Sequence, residues 1–275
     1  MKFAVNYSPQ AIELVRSGCI HFDYFKCPPW PDLVSTAREV APVVIHFELQ
    51  AGSGCLHKTD WRMIEDFLAH TGTPFVNLHL APRVGDFPDM PVDTWDFTHI
   101  RQVTEVLLRD TAAVVDHFGP ERVIAENALY EGPQGKFFRP AMLPEVIHQI
   151  LDETGCGMLL DISHARISAY HLGLNERDYM ASLPVDRIRE LHFTGIHEVN
   201  GRLQDHLSVL PGDWPVLDWA LERIERREWA APWLLAFEYG GVGEFFGKHT
   251  EMDVLIEQVP LLLSRVCQVT ASSTK

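Results

Sequence analysis

The 275-residue sequence contains no run rich in lysine and arginine, and its acidic side chains outnumber the basic ones by 38 to 23, for a formal charge of −15. A surface that follows a phosphate backbone needs a basic stripe, so this balance argues against nucleic acid or an anionic membrane as the main partner. The sequence also lacks an apolar run long enough to span a membrane and an apolar secretory segment near its first residues. We therefore expect a cytoplasmic protein without membrane contacts.

Cysteine is scarce, and the five that occur are widely separated. Their odd number and the absence of any C-x-x-C pair are typical of reduced thiols, not of a disulfide framework or a thiolate metal site. The five are Cys19, Cys27, Cys55, Cys156 and Cys267. Glycine-rich G-x-G-x-x-G and P-loop patterns are missing after the apolar runs as well, which excludes the usual nucleotide-binding sites.

Short apolar runs alternate with longer amphipathic stretches along the chain. The runs cover residues 3–7, 20–27, 43–49, 75–81, 123–128, 157–163, 188–195 and 233–239. Such alternation predicts parallel strands joined by crossover helices, and eight units favour closure into a (β/α)8 TIM barrel. The prediction is a single α/β domain over residues 1–270, followed by a disordered tail over 271–275.

Polar side chains stand late in six consecutive apolar runs, where barrel enzymes carry their active sites. A carboxylate buried in an apolar strand is costly unless it is paired or bound to a cation. A bound metal ion satisfies imidazole and carboxylate together. One metal site would therefore explain why polar side chains occur in all six apolar runs. The six predicted ligands are His46, His79, Glu126, Asp161, His192 and Glu238.

Three more side chains extend this set. His164 follows Asp161 by one turn, and Asp205 and His206 are expected in a loop after the seventh strand. Histidine and carboxylate ligands without cysteine suit iron, manganese or zinc. A set of this size predicts two or three metal ions.

Each of these residues taken alone has a plainer interpretation. A strand histidine is usually a core residue, and Glu126 could pair with an arginine, so the prediction depends on their joint placement. Asn127 and Tyr130 follow Glu126 and precede the glycine-rich segment 131–136. They are predicted substrate contacts, although a solvated loop would explain that segment equally well.

The order of these residues resembles the trinuclear site of endonuclease IV, while the surrounding segments resemble a second group. VVIHFELQAG, VIAENALYEG and LPVDRIRELHFTG are similar to the multinuclear non-heme iron-dependent oxidative enzymes of the methanobactin-biosynthesis type. Both groups belong to the xylose isomerase-like superfamily of metal TIM barrels. The resemblance covers nearly the whole chain at the level of motifs.

This resemblance implies an iron-dependent enzyme that uses O2 to modify a peptide, at a cysteine, together with a partner protein that presents the substrate. It implies metal contacts from His46, His79, Glu126, Asp161, His192, His206 and Glu238. Two positions depart from the pattern. The iron group has asparagine where this chain has His164, and both groups favour Asp-x-His where this chain reads Gln204-Asp205-His206. The number of ions is therefore left open.

Other functions remain open at this point. A divalent-metal sugar isomerase or epimerase would use Glu126 or Glu238 to move a proton. A zinc-dependent phosphoesterase of the endonuclease IV type fits the ligand order, but the acidic composition and the missing basic groove disfavour it. A binding barrel without catalysis is the last alternative. Iron is the expected metal, with zinc or manganese as alternatives.

Overall fold

The computed structural model describes residues 1–272, in which strands alternate with helices. The strands are β1 (Lys2–Asn6), β2 (Tyr24–Cys27), β3 (Val43–Ile45), β4 (Leu49–Ala51), β5 (Val76–Leu80), β6 (Val123–Asn127), β7 (Gly157–Asp161), β8 (Ile188–Phe193), β9 (Gly195–Val199), β10 (Arg202–Leu207) and β11 (Leu234–Phe237). The α-helices are α1 (Pro9–Arg16), α2 (Pro31–Arg38), α3 (Trp61–Thr71), α4 (Phe97–Phe118), α5 (Pro144–Thr154), α6 (Ile162–Leu172), α7 (Glu176–Ala181), α8 (Trp214–Glu225), α9 (Gly243–Phe246) and α10 (Met252–Ser272).

The chain forms two compact units, and the first contains residues 1–46, 67–73 and 189 onward. Its strands lie in the order β3, β2, β1, β11 and β8, and all neighbours are parallel. Apolar side chains of β1, β3 and β11 form one buried cluster, against which Tyr24 and Trp233 pack. Burial of this kind is expected for parallel strands, which helices cover.

The second unit contains residues 47–66 and 74–188. Its strands lie in the order β7, β6, β5 and β4, again all parallel. Every residue of β6 and β7 is buried. The register places His79 of β5 directly beside Glu126 of β6, so two of the predicted ligands are neighbours on adjacent strands.

The predicted strand over residues 43–49 is wrong in one respect, because it is divided into β3 and β4. The backbone at Phe47 bonds to a side chain: its N–H donates to Asn77 Oδ1 at 2.7 Å, and its carbonyl accepts from Asn77 Nδ2 at 3.0 Å. The buried amide of Asn77 supplies the donor and acceptor that a neighbouring strand would otherwise give.

Helix α6 begins where the sequence predicted the end of a strand, at residue 162. Asp161 ends β7 and is also the N-cap of the helix, since its side chain accepts the N–H of His164. The helix was missed because it is buried on more than one face, including Ile162, Ala165, Ile167 and Ala169. A helix that is buried on more than one face has no single apolar stripe in its sequence.

Asp205 and His206 do not lie in a loop, as predicted, but in strand β10 of an antiparallel hairpin with β9. The hairpin turns at Asn200 (φ 53°) and Gly201 (φ 75°). Asn-Gly is the preferred pair for a two-residue turn with left-handed backbone at both positions. This dipeptide was therefore the available sequence evidence for the hairpin.

The remaining predictions for the chain have mixed outcomes. All five cysteines are free thiols, as expected. Of the predicted tail over 271–275, the first two residues continue α10 and the other three lie outside the described residues. The single domain over 1–270 stays a prediction. Within residues 1–272, no helix combines the length and apolar character needed to cross a membrane.

A buried carboxylate fixes the loop that follows β4. Asp110 of α4 is 4% exposed, and its Oδ2 accepts the N–H groups of Gly52 at 2.8 Å and Gly54 at 3.0 Å. Both glycines have positive φ, 106° and 67°, so the loop conformation is one that only glycine adopts readily. The carboxylate therefore holds in one conformation a loop whose glycines could adopt several others.

We expect Asp110→Ala to lower the free energy of unfolding by about 2–4 kcal/mol, because two amide groups lose their acceptor. Urea unfolding followed by circular dichroism measures the loss. Asp116→Ala, at an exposed position of the same helix, should change stability by less than about 0.5 kcal/mol. Equal effects of the two substitutions would mean that the hydrogen bonds from Gly52 and Gly54 to Asp110 do not stabilise the loop.

Candidate metal sites

The second unit brings four of the predicted ligands together in what we call the Glu126 cluster: His79, Glu126, Asp161 and His164. Glu126 is 1% exposed and Asp161 is fully buried. His79 Nε2 lies 3.2 Å from Glu126 Oε2, and His164 Nε2 lies 3.8 Å from Asp161 Oδ2. Glu126, Asp161 and His164 each offer a ligand atom, and these three atoms lie within 4.8 Å of one another. The cluster can therefore hold a metal ion.

Backbone carbonyls fix the orientation of both histidines in the Glu126 cluster. His79 Nδ1 is 3.3 Å from the carbonyl oxygen of Leu49, and His164 Nδ1 is 3.0 Å from that of Asn127. A carbonyl only accepts, so each Nδ1 carries a proton, and Nε2 is the nitrogen available to a metal when the ring is neutral. Histidines that bind a metal usually donate the N–H of their other ring nitrogen to a carbonyl or carboxylate in this way.

The turn from β7 into α6 places Asp161 and His164 on the same side of the cluster. Asp161 Oδ1 accepts the N–H of His164 at 2.7 Å, which starts the helix. The helical turn then brings the side chain of His164 back over the end of the strand. The Asp-x-x-His pattern at Asp161 and His164 therefore marks the N-cap of a helix as well as two candidate ligands.

Asn127 holds Asp161 from the neighbouring strand. Its Nδ2 donates to the carbonyl oxygen of Asp161 at 2.9 Å, and its Oδ1 accepts the N–H of Asp161 at 2.9 Å. The Asn127 carbonyl also binds His164 Nδ1. One buried residue thereby orients two candidate ligands.

We expect Asn127→Ala to lower the free energy of unfolding by about 2–4 kcal/mol, because it leaves two buried backbone groups without a partner. We also expect metal affinity to fall by about 10-fold, as for other residues that orient ligands. Urea unfolding and metal titration measure the two effects. Asn6→Ala removes only a 3.4 Å bond to Gly240 and serves as the control. A loss no larger than that of the control would contradict this role.

The first unit brings together a second set, which we call the Glu238 cluster: Lys26, Glu190, His192, His206 and Glu238. His192 is fully buried between two carboxylates. Its Nε2 is 2.9 Å from Glu190 Oε1, and its Nδ1 is 3.0 Å from Glu238 Oε1. If Nε2 donates to Glu190, Nδ1 is the ligand nitrogen. Glu190 then positions the ring from the side opposite the metal.

Lys26 is buried in the same cluster, and its ammonium donates to Glu238 Oε1. Burial alone would raise the pKa of Glu238, but His192, Lys26 and His206 together hold it well below the ordinary range. Glu238 is therefore an ionised carboxylate inside the protein. It is held beside β8 by its N–H, which donates to the carbonyl oxygen of Phe193 at 3.1 Å.

His206 is turned toward Glu238 by an irregularity in the hairpin. The register of β9 and β10 shifts between Gln204 and Leu207, and His206 has a left-handed backbone with φ 59°. Bulges of this kind redirect side chains beside active sites. His206 Nδ1 is 2.8 Å from the carbonyl oxygen of Glu238, and its Nε2 is 3.8 Å from Glu238 Oε2. Asp205 lies in the same irregular segment, and its role as a ligand stays a prediction.

His46 follows β3 directly and is held to the first unit by its N–H, which donates to the carbonyl oxygen of Cys27 at 2.8 Å. Its ring lies against that of His192, with 5.2 Å between the ring centres. His46 is therefore at the Glu238 cluster, as its place at a strand end predicts. Its role as a ligand stays a prediction.

Lys26 and Glu190 were missed by sequence reasoning, although each is a charged residue in an apolar run. Glu190 precedes His192 by two positions and so shares its face of the strand. Asn127 and Tyr130 are 1% and 2% exposed, and burial raises the pKa of the Tyr130 hydroxyl. The amide of Asn127 already bonds to the backbone of Asp161. Substrate contact by either residue stays a prediction.

Two curated relatives, each called UPF0276 protein, are similar to parts of the chain. The one from Acaryochloris marina is 32% identical over 123 residues, 42% of this chain and 42% of the relative. The one from Rhizorhabdus wittichii is 26% identical over 198 residues, 70% of this chain and 69% of the relative. The matches therefore span less than half of the first relative's length and just over two thirds of the second's.

Three solved structures show the fold. A xylose isomerase domain protein from Salmonella typhimurium LT2 has a TM-score of 0.57 and 13% identity, over 96% of both chains. A D-psicose 3-epimerase has a TM-score of 0.58 and 11% identity, over 96% of this chain and 97% of the other. An AP endonuclease of family 2 from Brucella melitensis has a TM-score of 0.56 and 11% identity, over 94% of this chain and 98% of the other. The predicted xylose isomerase-like (β/α)8 TIM-barrel fold is confirmed.

The family model described as RiPP precursor modification enzyme MbnB/TglH/ChrH matches residues 28–234, about three quarters of the chain. The matched range contains every predicted ligand except Glu238, which lies just beyond it. The resemblance seen in the motifs is confirmed at the level of the family. The chain belongs to the family of RiPP precursor modification enzymes MbnB/TglH/ChrH.

Proposed function

We propose that this protein is a metal-dependent enzyme that oxidises a peptide, with iron as its metal and O2 as its oxidant. The metal is supported by one observation above all, the orientation of four histidines. In each, one ring nitrogen is bound to a carbonyl or carboxylate oxygen while the other faces a buried carboxylate. The four are His79, His164, His192 and His206. Membership in a family of peptide-precursor modification enzymes supports the peptide substrate.

The donor atoms suit iron. The Glu126 cluster offers two imidazoles and two carboxylates, and the Glu238 cluster offers His192, His206 and Glu238. Two histidines with one carboxylate are typical ligands of non-heme Fe(II) enzymes that use O2. Among the described residues, no cysteine belongs to the groups of side chains whose ligand atoms converge. Zinc and manganese accept the same donors, so the choice of iron depends on the family as well.

Iron bound by these side chains would supply the one-electron and O2 chemistry that amino acids lack. The protein's own residues prepare the ligands. The carbonyls of Leu49 and Asn127 keep the protons of His79 and His164 on Nδ1. Glu126 and Asp161, as carboxylates in a buried site, stabilise a higher positive charge at the metal than imidazoles alone would.

The proposed substrate is a cysteine-containing peptide. A thiolate is itself a metal ligand, so the substrate's sulfur would reach the metal without a cysteine from this chain. Holding the peptide at the metal turns a bimolecular encounter into a positioned reaction. We also propose that a partner protein presents the peptide, as the resemblance to the methanobactin-type enzymes implies.

Metal analysis of protein purified without oxygen tests this proposal. We expect two or more iron ions per chain, and we expect a cysteine-containing peptide encoded near the gene to change in mass only when O2 is present. Glu126→Gln should abolish the change, and the same peptide with serine in place of cysteine should not react. A single manganese ion with turnover of a sugar would favour an epimerase. Tightly held zinc without O2 consumption would favour a phosphoesterase.

A further inference from the structure

The second unit buries the guanidinium of Arg139, and among residues 1–272 no carboxylate pairs with it. Arg139 is 2% exposed and begins the short 3-10 helix over Arg139–Met142, in the loop between β6 and α5. Its Nε donates to the carbonyl oxygens of Asp93 at 3.2 Å and Thr94 at 2.9 Å. Its Nη2 also donates to the carbonyl oxygen of Thr94. Backbone carbonyls are therefore its hydrogen-bond acceptors.

One edge of the Arg139 guanidinium is left without an acceptor. A guanidinium carries five N–H groups in a planar fork, which binds along its edges. The bonds to the loop of Asp93 and Thr94 use the edge formed by Nε and Nη2. The end of the fork contains Nη1, which is buried and has no hydrogen-bond partner in the described part of the chain. An unsatisfied buried group is rare enough to need an explanation, and the two oxygens of a carboxylate match such an edge.

The charge of Arg139 points to the same kind of ligand. Burial lowers the pKa of the guanidinium, and Tyr130, Asp93 and Glu145 oppose this shift without cancelling it. An arginine in a protein nevertheless stays protonated. A buried charge without a partner ion is costly, and carbonyl dipoles compensate it only in part. An anion bound at Nη1 would remove this cost.

Arg139 lies beside a movable cover and at the end of the strands where this fold carries its active sites. Its Cζ is 3.1 Å from the centre of a Trp95 ring, yet Trp95 is 74% exposed, so few other groups hold the indole. The loops that carry Trp95 and Arg139 follow β5 and β6, the adjacent parallel strands of His79 and Glu126. Active sites of barrels lie at the carboxyl ends of the strands, in these loops.

We propose that the free edge of Arg139 binds a carboxylate of the peptide substrate, while Trp95 stacks on the guanidinium and shields the ion pair from water. The inference rests on the proposed function, because it requires a peptide substrate. The carboxylate belongs to an acidic side chain or to the C-terminus of the peptide, since both present the same planar pair of oxygens. An exposed side chain changes rotamer readily, so the indole can move aside while the peptide enters.

Binding of fluorescein-labelled peptides to metal-loaded protein, measured by fluorescence anisotropy, tests the proposal. The probe is the cysteine-containing peptide encoded near the gene, together with versions that each lack one carboxylate. In these versions an aspartate is replaced by asparagine, a glutamate by glutamine, or the C-terminus is amidated. We expect the wild-type protein to bind one version at least about 30-fold more weakly, because it leaves the buried guanidinium unpaired. That version identifies the source of the carboxylate.

Substitutions in the protein assign the effect to Arg139. Arg139→Gln should bind the unmodified peptide as weakly as the wild-type protein binds the deficient version, and it should not distinguish the two. Arg139→Lys keeps the charge without the fork and should retain only part of the preference. Trp95→Ala should reduce the preference to below about 10-fold, since water screens an exposed ion pair. Arg122→Gln, at an exposed position just before β6, is the matched control and should bind as the wild-type protein does.

The outcomes separate this inference from the proposed function. Thermal unfolding and Mn²⁺ titration establish that each variant is folded and binds metal. Equal binding of all peptide versions by the wild-type protein would overturn the inference, and this result does not depend on the folding of any variant. Full preference in Arg139→Gln would also overturn it, because another group would then recognise the carboxylate. Failure of the wild-type protein to bind the peptide, with or without the protein encoded beside it, would overturn the proposed peptide substrate as well.

Discussion

Replacing Glu126 by glutamine is expected to weaken metal binding at the Glu126 cluster by at least about 100-fold. Even residues that only orient metal ligands cost roughly 10- to 100-fold in affinity when they are replaced, and Glu126 is a candidate ligand itself. Its carboxylate lies 3.2 Å from His79 Nε2 and 3.6 Å from His164 Nδ1. Glutamine keeps the shape of the side chain but removes the negative charge that attracts the cation. Titration with Mn²⁺ or Fe²⁺ measures the loss.

The control for this substitution is Glu153→Gln, at an exposed position of α5, which should leave the dissociation constants unchanged. The thermal unfolding of metal-free Glu126→Gln should remain cooperative, because the new side chain fills the same space. If Glu126→Gln bound metal as tightly as the wild-type protein, the carboxylate would not be a ligand. The convergence of His79, Glu126, Asp161 and His164 would then need another explanation, such as a buried hydrogen-bond network.

The alternation of strands and helices could be predicted from the sequence because buried parallel strands and amphipathic helices leave different periods in the chain. The candidate ligands could be found for a related reason. A carboxylate such as Glu126 or Asp161 stands out in an apolar strand, where an ionised group needs a partner. The same argument applied to Lys26 and Glu190 would have found them too. They were missed because one ligand was assigned to each of the six runs from 43–49 to 233–239, and none was assigned to the run over 20–27 that contains Lys26.

Other features depend on contacts that the local sequence does not encode. The proton positions on His79 and His164 are set by the carbonyls of Leu49 and Asn127, which lie 30 and 37 residues away along the chain. Strand register and rotamers decide these contacts. The orientation of His206 also depends on such contacts, since a shift in the hairpin register turns its side chain toward Glu238. The hairpin itself was predictable from Asn200-Gly201, but the shift was not.

Removing metal is expected to lower the midpoint of thermal unfolding, Tm, by roughly 10 °C. An ion that binds only the folded state stabilises it by about 4 kcal/mol when its free concentration is 1,000 times its Kd. For a chain of this size each kcal/mol corresponds to roughly 2–4 °C in Tm. The unfolded chain does not bring Glu126, Asp161 and His164 together, because they belong to separate strands and a helix. The free energy of metal binding at these ligands therefore adds to the free energy of unfolding.

Differential scanning fluorimetry of chelator-treated protein, before and after metal is restored, measures this shift. Tm should rise with metal concentration, because an ion that binds only the folded state stabilises it. The double variant Glu126→Gln/Glu238→Gln is the matched control, and its Tm should not depend on metal. A wild-type Tm that does not change with metal would mean that the buried carboxylates are compensated by protein groups alone. The histidine orientations would then serve the fold and not a metal.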